Sequence, residues 1–361
     1  MANMQKARAR LLAGVTVGLV AAWSVAAQDA TAAQDLKDGP GGEAGAMHLR
    51  DAGFMVVGGD VSEPDADGNV TVSNQMHVEF FLPAERRYDV PVVLVHGGGG
   101  QAIDWAGTPD GRDGWRDYFV NAGFDVYSVD RPGYGRSPAA PSYGEGTLGQ
   151  AHSGIIAGLA QSENWPGGEV TPTNEAVIDW LKTSQTTPYA GNEIAAKDIS
   201  LLLDEIGPAI LISHSAGGRS TYMAADMNPE NVVGIIAFEA SGSNPIADEE
   251  MRAHLTWEPA LPADYAPAGT EACPAQAERT PSTLPNLSGI PIVLVASGIF
   301  VTKEQLDCNA AALQQAGAEV MAHHMPDEGF PGVGHFMMAE TNNAETAQFF
   351  IDRAAELAQA D

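Results

Sequence analysis

Cysteine is nearly absent from this sequence, whose 361 residues contain only Cys273 and Cys308. Neither residue stands in a C-x-x-C motif or at the spacing of a metal-ligand pair, which argues against dithiol redox catalysis and against a zinc site. In an oxidising compartment the two thiols would close a loop of 35 residues. A cross-link of that length stabilises a fold by about 3–4 kcal/mol. An exported chain is therefore predicted to carry this disulfide, with two buried free thiols as the alternative.

Basic residues are also scarce. Only 18 lysine and arginine residues stand against 47 aspartates and glutamates, so the formal net charge is −29. Such a charge repels the phosphates of nucleic acids and the headgroups of anionic lipids. We therefore expect neither nucleic acid nor a membrane surface as a partner. The acidic composition is compatible with a salt-rich environment, in which counterions screen the repulsion.

Long hydrophobic runs are missing beyond the N-terminus. Residues 1–27 begin with a basic region, continue with an apolar stretch of 13 residues (11–23) and end in small residues. This is the pattern of a cleavable signal peptide, and the stretch is shorter than the roughly 18 residues that span a bilayer. We expect an exported protein, periplasmic or secreted, without stable membrane association after cleavage. An uncleaved N-terminal anchor is the alternative.

Beyond this leader, residues 28–47 are mostly Ala, Asp and Gly and are expected to form a flexible mature N-terminus. Hydrophobic patterns of strands and helices then alternate, which predicts an α/β fold with a mostly parallel central sheet flanked by helices. Strands are predicted at 54–57, 70–82, 91–95, 125–129, 209–212, 232–238, 291–295 and 318–325. Helices are predicted at 194–206, 217–227, 303–315 and 344–358, with another around Trp115.

Two segments interrupt this alternation, at about 137–193 and 241–290. Both are too long for plain connecting loops, so we expect them to be cap segments over a functional site. They are insertions in a single domain that covers 48–361. The sequence leaves the oligomeric state open, a homodimer included.

The segment Ser213-His214-Ser215-Ala216-Gly217 lies between a predicted buried strand and a predicted helix. In this context a small-x-Ser-x-small sequence forms a nucleophile elbow, because the residues on either side approach each other closely and must be small. Ser215 is therefore the candidate nucleophile. The amide of Ala216, at the start of the helix, is a candidate donor to an oxyanion.

Glycines follow an earlier strand, in His96-Gly97-Gly98-Gly99-Gly100. A backbone without side chains can turn its amides toward a reacting carbonyl oxygen, so the second oxyanion donor is assigned to Gly98, with Gly97 as the alternative. A phosphate-binding loop is disfavoured because no G-K-[ST] sequence follows. A serine nucleophile needs a general base, and His335 stands in a glycine-containing loop between the last predicted strand and the C-terminal helix.

The order of oxyanion glycines, elbow serine and late histidine resembles the α/β-hydrolase fold. Within it, the chain is similar to a group of exported bacterial esterases. The residues that carry this likeness are Val95-His96-Gly97, Gly107-Thr108-Pro109-Asp110-Gly111-Arg112, Gly114-Trp115, Tyr118-Phe119 and Asp130-x-x-Gly133-x-Gly135-Arg136-Ser137. The resemblance implies that the acid of the triad is a Glu after the sixth strand.

The sequence itself can be searched for that acid. No acid directly follows the seventh major strand, where 296–301 read Ala-Ser-Gly-Ile-Phe-Val, whereas Glu239 directly follows the sixth. A carboxylate is needed to hold the tautomer of the imidazole, so Glu239 is the candidate. Weaker candidates are Glu304, Asp307 and Asp327.

These residues predict a serine carboxylic-ester hydrolase that acts on small-molecule esters through an acyl-enzyme, without a metal or other cofactor. Aromatic side chains that could line its substrate pocket are Trp105, Trp165, Trp180 and Phe336. Alternatives are a lactone or carbon–carbon bond hydrolase on the same triad, and a non-catalytic binding protein that keeps the scaffold.

Overall fold

The computed structural model describes residues 45–140, 143, 152–184, 189–277 and 281–359. The predicted signal peptide, and the expected flexible N-terminus up to residue 44, lie outside these residues. Within the described part of the chain, no helix combines the length and the apolar character that crossing a membrane requires.

An eight-stranded sheet forms the centre of the described chain. Its strands are β1 (Leu49–Val61), β2 (Val72–Pro83), β3 (Val92–Val95), β4 (Val126–Asp130), β5 (Ala209–His214), β6 (Val232–Phe238), β9 (Pro291–Ala296) and β10 (Glu319–His324); β7 (Ala268–Thr270) and β8 (Cys273–Ala275) form a separate hairpin. The strands of the large sheet lie in the order β1-β2-β4-β3-β5-β6-β9-β10. Along this order, all neighbours from β4 onward are parallel, while β2 pairs antiparallel with both β1 and β4. The predicted α/β architecture with a mostly parallel sheet is thus confirmed.

Helices cover both faces of the sheet, which explains why the central strands are almost wholly apolar. All residues of β3 and β5 are buried. The helices are α1 (Trp115–Ala122), α2 (Ser153–Leu159), α3 (Glu175–Thr183), α4 (Asn192–Ile206), α5 (Gly217–Met227), α6 (Glu249–His254), α7 (Lys303–Gln315) and α8 (Asn343–Gln359); short 3-10 helices span Ala102–Trp105 and Pro229–Asn231. One core contains side chains of α4, α5 and α7, and the other contains side chains of α1 and α8.

The first strand is much longer than its sequence pattern predicts. Residues 54–57 were the predicted strand, whereas β1 spans 13 residues. Its pairing with β2 runs from Leu49 opposite Pro83 to Val61 opposite Val72. As an edge strand, β1 leaves Phe54 and Val56 exposed. The hydrogen bonds to β2 continue along the whole of β1, so pairing with β2 extends β1 through its Gly, Asp and Ala residues, which have low β propensity.

The two segments that break the alternation differ in structure. The described part of 137–193 contributes α2 and α3, and 241–290 contributes α6 and the β7–β8 hairpin. Cys273 of that hairpin forms a disulfide with Cys308 of α7, with an S–S distance of 2.03 Å. The predicted disulfide is therefore present, and it ties the second segment to a helix of the main fold.

A buried carboxyl group packs against the β1–β2 hairpin and is expected to make the free energy of unfolding depend on pH. Asp198 of α4 is 1% exposed, and its Oδ2 has no hydrogen-bond partner among the described residues. Gly58 has a φ of +68°, and a Cβ on it would lie 2.0 Å from Asp198 Oδ1, so backbone packs directly against the carboxyl. This burial raises the pKa of Asp198 to about 8.

The neutral acid is therefore favoured in the folded protein, whereas the unfolded chain ionises near its ordinary pKa of about 4. Both states are protonated below pH 4, so this destabilisation is absent there; it grows between pH 4 and 8 and stays constant above. We expect D198N to exceed the wild type in unfolding free energy by up to about 5 kcal/mol at pH 8.5 and to match it at pH 4. Urea unfolding at both pH values measures this. E205Q, at an exposed site on the same helix, is the control, and equal stability of D198N and wild type at pH 8.5 would contradict the prediction.

Candidate active site

The turn between β5 and α5 holds Ser215 in a left-handed conformation, with a φ of +50°. The neighbouring strand supports it, because the Ser215 amide donates to Phe238 O at 3.3 Å and Ser215 O accepts from the Ser241 amide at 2.9 Å. A Cβ on Gly217 would lie 2.5 Å from His96 O. A small residue is therefore required two positions after the serine, and the turn has the geometry of a nucleophile elbow.

His335 lies in the loop between β10 and α8 and is 2% exposed. Its Nε2 is 3.0 Å from Ser215 Oγ. Two buried contacts hold this loop. His214 Nε2 donates to the carbonyl oxygen of His335 at 2.9 Å, and the Gly334 amide donates to Glu340 Oε1 at 2.6 Å. The imidazole is thus presented to the serine by its own loop and by the residue that precedes the serine.

Glu239 follows β6 with a φ of +52° and is 2% exposed. Its Oε2 lies 3.4 Å from His335 Nδ1 and also accepts from the Val301 amide at 3.1 Å, while its Oε1 accepts from the Ser297 amide. The loop after β9 therefore supplies amide donors to the carboxylate rather than an acid of its own. The carboxylate is held from two sides while it faces the imidazole.

The weaker acid candidates have other partners or positions. Glu304 is exposed in the first turn of α7, Asp307 pairs with Lys303 at 3.0 Å, and Asp327 pairs with His324 at 3.0 Å. The structure therefore brings Glu239, and none of these three, to His335.

The glycine loop packs directly on the elbow. A Cβ on Gly97 would lie 2.9 Å from Ser215 Cβ, and one on Gly98 would lie 3.3 Å from Ala216 Cβ. Neither the Gly98 N–H nor the Ala216 N–H donates a backbone hydrogen bond to another described residue. Both predicted oxyanion donors thus stand close to the serine with unused N–H groups.

The aromatic residues are placed differently from one another. Phe336 packs on His335 with ring centroids 5.1 Å apart and on Trp180 at 5.2 Å. Trp180 also lines an apolar cavity of about 350 Å³ beside the 3-10 helix that follows the glycine loop, and Trp165 packs behind it. The prediction that Trp105 lines the substrate pocket is wrong. Trp105 is wholly buried and packs on the rings of Trp115 and Phe238, because its helix turns it into the core.

Two side chains at the site escaped the sequence analysis. Phe300, half-exposed in the loop after β9, places its ring centroid 4.0 Å from that of His335. Arg131, directly after β4, donates to the carbonyl of Gly97 at 2.8 Å. Each lies in a segment that follows a strand of the parallel sheet. That position is the one signal in the sequence that could have indicated a place near the candidate active site. Among the described residues, no three His, Cys, Asp or Glu side chains are grouped as metal ligands would be.

This fold, with a serine at a strand-to-helix turn, defines a hydrolase-type scaffold. The model of the alpha/beta hydrolase family matches residues 92–349, so the chain belongs to that family. The predicted α/β-hydrolase fold is thereby confirmed.

Individual relatives agree with this assignment. The chain is 30% identical over 342 residues to a probable secreted lipase from a fungal species (strain ATCC 74256), covering 84% of this chain and 90% of the relative. Among solved structures, a novel bacterial esterase superposes with a TM-score of 0.65 at 20% identity, covering 87% of this chain and 98% of the esterase. At that level of identity, the likeness to the esterase shows the shared fold alone.

Proposed function

We propose that this protein is a carboxylesterase-type serine hydrolase that acts on small-molecule esters through a Ser215–His335–Glu239 triad. The observation that carries the proposal is the continuous chain of contacts from Ser215 Oγ to His335 Nε2 at 3.0 Å and from His335 Nδ1 to Glu239 Oε2 at 3.4 Å. The relative described as a probable secreted lipase supports an ester as the substrate.

The first half of the reaction forms an acyl-enzyme. Since carboxylate Oε2 of Glu239 can only accept, it favours the imidazole tautomer with the proton on Nδ1 and leaves Nε2 free to take the proton of Ser215. Ser215 Oγ then attacks the ester carbonyl, and the amides of Gly98 and Ala216 stabilise the negative charge on its oxygen. When the intermediate collapses, the bond to the alcohol breaks and the alcohol leaves with the proton from His335.

Hydrolysis of the acyl-enzyme repeats these roles. His335 takes a proton from water as the water oxygen attacks the acyl carbonyl. It returns that proton to Ser215 Oγ when the carboxylic acid departs. The position of the elbow at the N-terminus of α5 adds the favourable end of the helix dipole to the stabilisation of the oxyanion.

The surroundings of the triad favour an ester with an apolar group. The half-exposed ring of Phe300 covers one side of His335, and Phe336 packs on the imidazole as well. Trp180, on which Phe336 packs, also lines a cavity of about 350 Å³ whose walls are mainly apolar, with Asp179 as its charged member; no triad residue lines this cavity. An apolar acyl or alcohol group fits such surfaces better than a charged one.

We also propose that the protein is exported. The disulfide between Cys273 and Cys308 needs an oxidising compartment to persist. The predicted signal peptide at residues 1–27 and the secreted character named for the fungal relative point the same way.

Intact-mass measurement after reaction with a fluorophosphonate tests the nucleophile and export together. We expect a single adduct that peptide mapping places on Ser215, on a chain that lacks the signal peptide. In parallel, p-nitrophenyl esters should be hydrolysed faster than lactones and β-diketones. Faster turnover of the latter would favour the lactone or carbon–carbon hydrolase alternative. No adduct and no turnover would indicate a non-catalytic binding protein.

A further inference from the structure

Arg131 is a buried cation without a carboxylate partner in the described part of the chain. It directly follows β4, is 1% exposed, and forms no ion pair with any described acid within 4.0 Å. Its Nε has no hydrogen-bond partner there, and its guanidinium lies 4.9 Å from the ring centroid of Tyr134 and 5.9 Å from that of Tyr189. Burying a charge is costly unless it is paired. Arg131 Nη1 makes a long contact of 3.5 Å to Asn192 Oδ1, so the shortest hydrogen bond of the guanidinium is the one to the glycine loop.

The guanidinium reaches the glycine loop beside the candidate nucleophile. Arg131 Nη2 donates to the carbonyl oxygen of Gly97 at 2.8 Å, and the Arg131 backbone amide donates to His96 Nε2 at 3.0 Å. Because Nε2 of His96 accepts, its ring proton lies on Nδ1, which donates to the same Gly97 oxygen at 2.7 Å. Burial lowers the pKa of His96 well below its usual range, in keeping with this neutral ring. Arg131 thus acts on one carbonyl both directly and through His96.

The consequence for the next amide follows from peptide geometry. A trans peptide is planar, so the C=O of Gly97 and the N–H of Gly98 point in opposite directions. The Gly97 carbonyl accepts from Arg131 and His96 at 2.8 and 2.7 Å, and from the Gly100 amide at a longer 3.4 Å. With the carbonyl oxygen held by these donors, the Gly98 N–H points away from them. A flipped peptide would instead present a carbonyl oxygen to a developing oxyanion and repel it. Glycines offer little resistance to such a flip, because they tolerate most backbone conformations.

We propose that Arg131 is a positioning residue that holds the Gly97–Gly98 peptide in the orientation of an oxyanion donor. The charge-assisted hydrogen bond to the Gly97 carbonyl also polarises that peptide and makes the Gly98 N–H a stronger donor. This inference rests on the proposed function, since it assigns a role within the same reaction.

The test compares oxo-esters with thiono-esters, whose developing charge falls on sulfur, a weak hydrogen-bond acceptor. We expect R131M to lower kcat for an oxo-ester by about 10²-fold, the usual effect of losing one oxyanion donor, with little change in KM. The thiono-ester should lose much less, so the ratio of oxo to thiono rates should fall by about tenfold. R131K, which keeps the charge but not the planar fork, should fall between R131M and the wild type.

Arg116 provides a matched control. It is also largely buried and lies 4.3 Å above the ring centroid of Phe81, but it pairs with Asp117 and does not touch the glycine loop. R116M should leave the ratio of oxo to thiono rates at its wild-type value. That result would show that loss of a buried arginine does not by itself change the ratio.

Several outcomes would overturn the inference. A folded R131M with wild-type kcat would do so, and so would equal losses on both ester types, which indicate general disruption. If R131M does not fold, the test rests on R131K. A ratio of oxo-ester to thiono-ester rates that is unchanged in R131K would reject the proposed role of Arg131. Fluorophosphonate labelling of wild-type Ser215 separates this failure from that of the proposed function. Without labelling or ester turnover in the wild type, both proposals fall together.

Discussion

Replacement of Ser215 by alanine is expected to lower kcat for p-nitrophenyl esters by about 10⁴- to 10⁶-fold, because no other group can form the acyl-enzyme. The residual rate would come from substrate binding and from the oxyanion donors. The fold should be unaffected, since the change removes a single hydroxyl whose described hydrogen bond is the one to His335. Steady-state kinetics and thermal unfolding of S215A measure both expectations.

Ser213 offers a matched control two residues earlier. It is wholly buried at the end of β5, and its hydroxyl has no hydrogen-bond partner among the described residues. Alanine is also small enough for that position of the elbow, so S213A should retain activity within a few-fold. If S215A kept wild-type turnover, Ser215 could not be the nucleophile and the proposed reaction would fail.

The second large effect concerns Glu239, where E239Q is expected to lower kcat by about 10³- to 10⁴-fold. Oε1 faces the Ser297 amide, and Oε2 faces both the Val301 amide and His335 Nδ1. A glutamine must therefore place its NH₂ group against at least one N–H donor. In the orientation that faces His335, it would also favour the tautomer whose Nε2 carries a proton and cannot accept one from Ser215. The pH dependence of kcat and the rate of fluorophosphonate labelling should both report this change.

A second carboxylate–histidine pair serves as the control. Asp327 lies 3.0 Å from His324 Nδ1, outside the site, so D327N should retain near-wild-type kcat. A large loss in D327N together with little loss in E239Q would identify a different acid and contradict the assignment of Glu239.

Much of the fold followed from local pattern. The predicted bounds of β6, α5 and α7 coincide with the structure, because continuous apolar runs and helical periodicity are properties of short segments. The length of β1 did not follow, since pairing with β2 decides it and its own residues have little β propensity.

The candidate site was predictable to a similar degree. Ser215 was found from a strand, a turn and a helix that are contiguous in sequence. Glu239 was found because the resemblance to known esterases implies an acid after the sixth strand, and Glu239 directly follows that strand in the sequence. Trp105 was misplaced, since the same aromatic composition suits a core and a pocket equally well. Phe300 and Arg131 were missed, because each matters only through the group that it touches.

By itself, the sequence determined where strands and helices alternate and which residue types stand at the ends of the strands, because these are preferences of short stretches of chain. Only the tertiary structure decided that Glu239 and Ser215, which are 96 and 120 residues from His335, lie against its two ring nitrogens. It also decided that a buried guanidinium supports the glycine loop. Such contacts depend on the order of strands in the sheet and on the packing of loops from different parts of the chain, which no local pattern records.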